Sequence, residues 1–163
     1  MNILKFYKMD CIQILKVDNE AILPSKTYNE DIGYDITAIK IYKKISEDII
    51  IYDTGIKIKS PNGFYNEIIP KSSITKSGWM LANSIRIIDN IYNDNLYIIL
   101  IRINKDSPEI ELPFCKCQLV TRKTEYLNII EVKEFDEKTN RGFGSINNKK
   151  KLSIKIPKES ELC

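Results

Sequence analysis

Asp35 and Asp89 carry the clearest chemical potential in this chain. Asp35 lies in Gly33-Tyr34-Asp35-Ile36, where a glycine turn meets a β-type run, and Asp89 follows Ile87-Ile88 and precedes Asn90-Ile91-Tyr92. A carboxylate at such a place can serve as a general base or hold a hard cation. The competing reading is that each caps a turn through its own backbone, a common aspartate role. A second group, Lys71-Ser72-Ser73, follows Pro70 and opens a polar stretch. If that stretch is helical, its first N–H groups, its hydroxyls and the ammonium form an anion cradle; otherwise Ser72 is an ordinary N-cap. A third group is Arg141-Gly142-Phe143-Gly144-Ser145. Its glycines would let an arginine reach a phosphate and a ring reach a base, unless the segment is simply a free tail.

These groups must work without imidazole, because none of the 163 residues is His. That excludes Ser-His-Asp and Cys-His nucleophiles, His-ligated zinc and imidazole proton shuttles. Acid–base work falls to carboxylates, Lys, Tyr or metal-bound water. The 25 Lys and Arg against 22 Asp and Glu leave a net charge of +3, too mild to single out nucleic acid or a membrane as partner. No apolar run approaches the ~20 residues of a membrane span, and Met1 to Lys16 lacks the apolar centre of a signal peptide. A cytosolic chain is expected. Lys149-Lys150-Lys151 offers nuclear import as a second location, although a solvated tail is the plainer reading of that run. In the cytosol Cys11, Cys115, Cys117 and Cys163 are expected to be free thiols. Cys115 and Cys117 would share one face of a strand, and the C-x-x-C spacing of a four-cysteine zinc site is absent.

The elements that must position these residues read mostly as strands. Ile49 to Ile58 is β-branched and broken by Gly55. Phe64 to Ile69 follows Ser60-Pro61-Asn62-Gly63, and Asn-Gly between apolar runs predicts a hairpin. Leu96 to Ile103 is apolar enough for burial on both faces, and Leu127 to Val132 is a further β-type run. One short helix is expected in the polar stretch after Pro70, ahead of Trp79-Met80-Leu81-Ala82. Many short strands with recurrent Pro and Gly punctuation predict an all-β protein, a distorted jelly-roll β-barrel with one short helix. Residues 1–135 read as that domain, and residues 136–163 as a C-terminal arm with a Lys-rich tail.

The order of the pieces resembles the trimeric dUTPase family, the dUTP nucleotidohydrolases. Gly33-Tyr34-Asp35-Ile36 resembles its first motif and Pro70-Lys71-Ser72-Ser73 its second, with Leu81-Ala82-Asn83-Ser84 after the helix. Ile87-Ile88-Asp89 with Tyr92 resembles the third, the uracil-binding hairpin. Cys117-Gln118-Leu119-Val120 resembles the fourth, and Arg141-Gly142 with Phe143-Gly144-Ser145 the fifth. Five weak motifs in order are strong together. The resemblance implies a jelly-roll homotrimer that uses Mg²⁺ to cleave dUTP into dUMP and pyrophosphate, by water attack on the α-phosphorus. It implies that Asp35 holds the metal through water and that Asp89 orients and activates the nucleophilic water. Tyr92 would pack on deoxyribose, and backbone near Asn83, Ile87 and Ile88 would read uracil. Lys71, Ser72, Ser73 and Gln118 would bind phosphates, Arg141 would reach the γ-phosphate, and Phe143 with Gly144 and Ser145 would close over uracil. Each site would draw on three chains.

Several positions depart from the family pattern. Lys71 stands for Arg, which keeps the charge but loses the bidentate fork. Arg86 and Ile91 stand for Gly, and Ile91 predicts a different turn before Tyr92. Asn93-Asp94-Asn95 replaces Arg-Gly-Glu, and the arm is shortened between Arg141 and Phe143. Three other readings compete with an active hydrolase. A degenerate nucleotide-binding or regulatory member is the first. A related dCTP deaminase would need a Glu on the strand after the hairpin, and Leu96 to Arg102 has none. A capsid-like jelly roll would make the five ordered motifs a coincidence.

Overall fold

A computed structural model describes residues 11–135 and shows ten strands and one short helix. The strands are β1 (Gln13–Lys16), β2 (Tyr34–Ala38), β3 (Lys40–Lys44), β4 (Ile49–Asp53) and β5 (Ile56–Lys59). They continue as β6 (Phe64–Pro70), β7 (Trp79–Leu81), β8 (Arg86–Ile88), β9 (Tyr97–Arg102) and β10 (Phe114–Lys123). A five-residue 3₁₀ helix, Ser72–Lys76, joins β6 to β7. All pairings are antiparallel. One four-stranded sheet runs β2-β10-β6-β8, the other β3-β4-β9-β7, and β1 pairs β5 as a separate ribbon. The all-β jelly-roll expectation holds. Among the described residues no helix is long and apolar enough to cross a membrane.

Alternation builds the core. Ile36 and Ala38 of β2, Ile68 of β6 and Cys117 and Leu119 of β10 point inward from the first sheet. Ile50 and Tyr52 of β4, Leu81 of β7 and Ile98 and Leu100 of β9 point inward from the second. Tyr52 meets Phe114 edge-on, ring centroids 4.8 Å apart, and Trp79 buries its ring while its indole N–H donates to the Pro108 carbonyl at 2.8 Å. The Tyr52 hydroxyl is fully buried without a partner among the described residues, and burial pushes its pKa up to about 12. Tyr52→Phe is therefore expected to leave stability unchanged or raise it by up to about 1 kcal/mol, because it removes an unsatisfied donor. Leu100→Ala, which opens a cavity in the same core, should cost about 2–5 kcal/mol. Urea denaturation checks both.

Three expectations about strands change. The Asn62-Gly63 turn forms, with Gly63 at φ 82°, but it joins strands of different sheets: β5 pairs β1, while β6 pairs β10 and β8. Turn chemistry sets the reversal, and tertiary pairing chooses the partners. Strand β9 alternates instead of being buried throughout, with Ile98 and Leu100 in the core and Tyr97, Ile99 and Ile101 half-buried on the other face. The chain divides after Tyr126. In the segment beyond, Leu127 to Val132 is not a strand, and Ile129 is 99% exposed. An apolar β-type run becomes a strand only when another backbone pairs with it.

Candidate active site

Strand β10 assembles the first part of the site because it lies between β2 and β6. Its register sets Gln118 opposite Asp35 on β2 and opposite Ile69 on β6. Directly opposed residues share a face, so Gln118 and Asp35 emerge side by side. The next pair, Cys117 with Pro70, ends β6, and Lys71 N–H then donates to the Lys116 carbonyl at 2.9 Å. That bond turns Lys71 back over the sheet, where its ammonium hydrogen-bonds the Asp35 carboxylate. This hydrogen bond raises the Lys71 pKa above its ordinary value. The Asp35 backbone is held in turn, its N–H donating to the Ser25 carbonyl at 2.6 Å. Gly33 makes room for Gln118: a Cβ there would lie 2.2 Å from the carboxamide oxygen.

Gly33, Asp35, Lys71, Ser72, Gln118 and Arg122 line one cleft of about 660 Å³. Ser72 and Ser73 are exposed where the 3₁₀ helix begins. The helix N-cap is Lys71, in extended conformation and without a side-chain cap bond, so the N-cap reading of Ser72 does not apply. A single 3₁₀ turn adds little dipole, and anion binding here falls to side chains. Sequence reasoning missed Cys115, whose sulfur lies 3.9 Å from the Lys71 ammonium. It also missed the ion pair of Arg122 with Glu67 at 3.2 Å. Both follow from strand register, which leaves no local signal. Cys11, Cys115 and Cys117 are free thiols, and burial pushes Cys117 up to about 12.

The hairpin residues lie elsewhere. Asp89 lines a second cleft of about 430 Å³ with Phe64, Tyr65, Ile87 and Ile91. Tyr92 lines a third of about 770 Å³ with Ile14, Lys57 and Asn93. Within one chain Asp35 and Asp89 thus serve separate clefts. Strand β8 is the edge of its sheet, paired with β6 alone, so one row of its backbone groups stays open. Ile88 is buried, so only its backbone is available to a ligand, while Ile87 is 61% exposed. Asn83 is exposed in the turn before β8, and its carbonyl accepts from the Ile85 N–H at 2.7 Å. Ser84 is the non-glycine residue with positive φ among the described residues, so Ile91, 92% exposed, escapes that strain. Arg141, Phe143, Gly144, Ser145, Lys149-Lys150-Lys151 and Cys163 fall outside the described residues.

A model of the dUTPase family matches residues 19–148. The chain belongs to the dUTPase family. Among curated relatives, a deoxyuridine 5'-triphosphate nucleotidohydrolase of Leptospira interrogans is 34% identical over 140 residues, 82% of this chain and 97% of its own length. One from Clostridium novyi is 33% identical over 80% of this chain and 94% of its own, and one from Fowlpox virus 29% identical over 84% and 97%. Among solved structures, the dUTPase of Staphylococcus bacteriophage 80alpha with dUpNHpp superposes at TM-score 0.70. It is 18% identical and covers 83% of this chain and 96% of that one. The dUTPase of phage phi11 of S. aureus, which coordinates a structural Mg(II) ion, superposes at 0.66 with 16% identity over 78% and 99%. The chain keeps both motif aspartates, Asp35 and Asp89, and its departures from the family pattern concentrate in the hairpin and the arm.

The donor set can be tested against Mg²⁺. Among the described residues no three His, Cys, Asp or Glu side chains converge. Three acidic residues, Glu30, Asp31 and Asp35, line the cleft without converging; one Asp31 oxygen accepts the Tyr28 N–H, and one Asp35 oxygen is engaged by Lys71, beside the amide of Gln118. Such a site fits a hard cation that keeps its waters and takes most ligands from phosphate, and does not fit one needing a protein-built cage.

Proposed function

We propose that this chain is a dUTP diphosphatase that acts as a homotrimer in the cytosol, releasing dUMP and pyrophosphate with Mg²⁺. The observation that carries the reading is the convergence of Asp35, Lys71, Ser72 and Gln118 on one cleft in a member of the dUTPase family. Asp35 would hold Mg²⁺ through water, and when bound the ion offsets triphosphate charge as the α-phosphorus is attacked. Lys71, Ser72, Ser73 and Gln118 bind phosphate oxygens by charge and hydrogen bonds. Asp89, contributed by a neighbouring chain, orients the attacking water and accepts its proton. The open backbone of β8 with Asn83 reads the uracil edge, where cytosine would leave buried groups unpaired at a cost of about 10⁴ in selectivity. Tyr92 lies against the deoxyribose and leaves no room for a 2'-hydroxyl. Arg141, Phe143, Gly144 and Ser145 complete the site from the arm.

Pyrophosphate release from dUTP, dCTP, dTTP and UTP tests the reading. Cleavage of dUTP well above the other three supports it; equal slow release by wild type and Asp89→Asn overturns it in favour of a nucleotide-binding member without turnover. Gly33→Ala supplies a finer test. Its Cβ must displace the Gln118 carboxamide, so KM for dUTP is expected to rise by about tenfold, and as much as ~10²-fold, for a shift of an ångström or more. Steady-state kinetics beside a thermal melt separates that from unfolding.

A further inference from the structure

We infer that Arg86 is a positioning residue for sugar selection, acting through Tyr92; the inference rests on the role proposed above for that ring. On β8, Arg86 pairs with Ile68, whose side chain is fully buried, so Arg86 leaves the strand on the core-facing side. Its guanidinium turns onto Tyr92. Nη2 donates to the Tyr92 hydroxyl at 3.3 Å, and Cζ lies 5.8 Å from the ring centroid. The same hydroxyl donates to the Asn95 carbonyl at 2.7 Å. The Asn95 amide donates to the Asp53 carboxylate at 3.0 Å, and the other Asp53 oxygen accepts the Gly55 N–H at 2.8 Å. Asp53 is only 3% exposed. A continuous path therefore runs from β8, through the Tyr92 hydroxyl, to the buried end of β4.

One backbone bond closes the turn between β8 and β9, from Tyr92 N–H to the Asp89 carbonyl at 3.0 Å. Other hydrogen bonds hold the connection at Asn90, Asn93 and Leu96, and the Tyr92 ring packs against the core, so what Arg86 and Asn95 add is a hold on the ring's hydroxyl end. A ring held only at its backbone can turn aside and admit a 2'-hydroxyl. A ring held at its hydroxyl from two sides keeps its place, and selectivity against the larger sugar depends on that rigidity. The arrangement also leaves Arg86 Nε buried without a partner among the described residues. Packing alone disfavours a buried, unpaired guanidinium N–H, so the contact with Tyr92 stands out as one kept for position.

The test measures kcat/KM for dUTP and for UTP with wild type, Arg86→Ala, Arg86→Lys, Tyr92→Phe and the Arg86→Ala/Tyr92→Phe double variant. It also measures affinities for a non-hydrolysable dUTP analogue and its ribose counterpart. Arg86→Ala and Tyr92→Phe should each lower the dUTP-to-UTP preference by about tenfold, the worth of one hydrogen bond to a charged group. The double variant should lose less than the product of the two single losses, since both changes break the shared Arg86–Tyr92 bond. Arg86→Lys should restore part of the preference. An Arg86→Ala protein that keeps the wild-type preference, or a double variant whose losses multiply, overturns the role of Arg86 and leaves the hydrolase reading intact. A wild type that cleaves neither nucleotide and binds neither analogue overturns that reading and this inference with it.

Discussion

Asp89→Asn is expected to lower the rate of dUTP cleavage by about 10²–10⁴-fold while changing affinity for a non-hydrolysable dUTP analogue little. The size follows from the make-up of the cleft. The chain has no His, Asp89 is the one acidic side chain lining its cleft among the described residues, and the other motif carboxylate, Asp35, lines a different cleft and is bonded to Lys71. Asp89 takes part in none of the ion pairs among the described residues and is exposed, so its proton-accepting capacity is not spent on the fold. Its backbone carbonyl accepts the Tyr92 N–H, a bond that the Asn substitution retains. Stability should therefore stay within about 0.5 kcal/mol of wild type, as for other surface changes. Single-turnover kinetics together with analogue binding would show it. A loss of binding as large as the loss of rate would mean that Asp89 positions substrate and is not the base.

The second large effect concerns assembly. Asp35→Asn and Asp89→Asn proteins should each be nearly inactive, yet unfolding them together and refolding the mixture should restore activity. Asp35 and Asp89 line separate clefts of one chain, and in the proposed homotrimer a complete site takes one from each of two chains. In randomly mixed trimers each of the two positions is wild type half the time, so about a quarter of the sites should be whole. Activity near a quarter of the wild-type level, in a particle with the mass of a trimer, is the expected result. No recovery in correctly assembled mixed trimers would show that both aspartates act within one chain.

How much of this could be read from the chain alone varies by element. The carboxylates were recognisable because Gly33-Tyr34-Asp35 and Ile88-Asp89 put acidic residues beside glycine and apolar runs, a local pattern. The 3₁₀ helix was likewise signalled by Pro70 and the polar run behind it. Asn62-Gly63 predicts a reversal, which forms, and a hairpin, which does not, because β5 and β6 pair in different sheets. Turn type depends on the four residues in it, whereas pairing depends on which distant strand wins the free edge. The composition of Leu127 to Val132 predicts a strand that does not form, since a strand is a relation between two backbones and composition describes one.

The sequence by itself determined the class of chemistry. With no imidazole, two well-placed aspartates and a Lys-Ser-Ser run, it pointed to a carboxylate-assisted water and a phosphate-bearing substrate, and the order of five short motifs pointed to the family. Only the tertiary structure decided what these residues touch. Lys71 rests on Asp35 because β10 lies between β2 and β6 in one register. Gln118 fits beside them because Gly33 has no Cβ, and Arg86 reaches Tyr92 because β8 sits at a sheet edge with its stem toward the core. The physical reason is common to all three. Each contact joins residues set by strand register, and register is chosen by burying one whole face of the sheet, a choice that no short stretch of sequence can make.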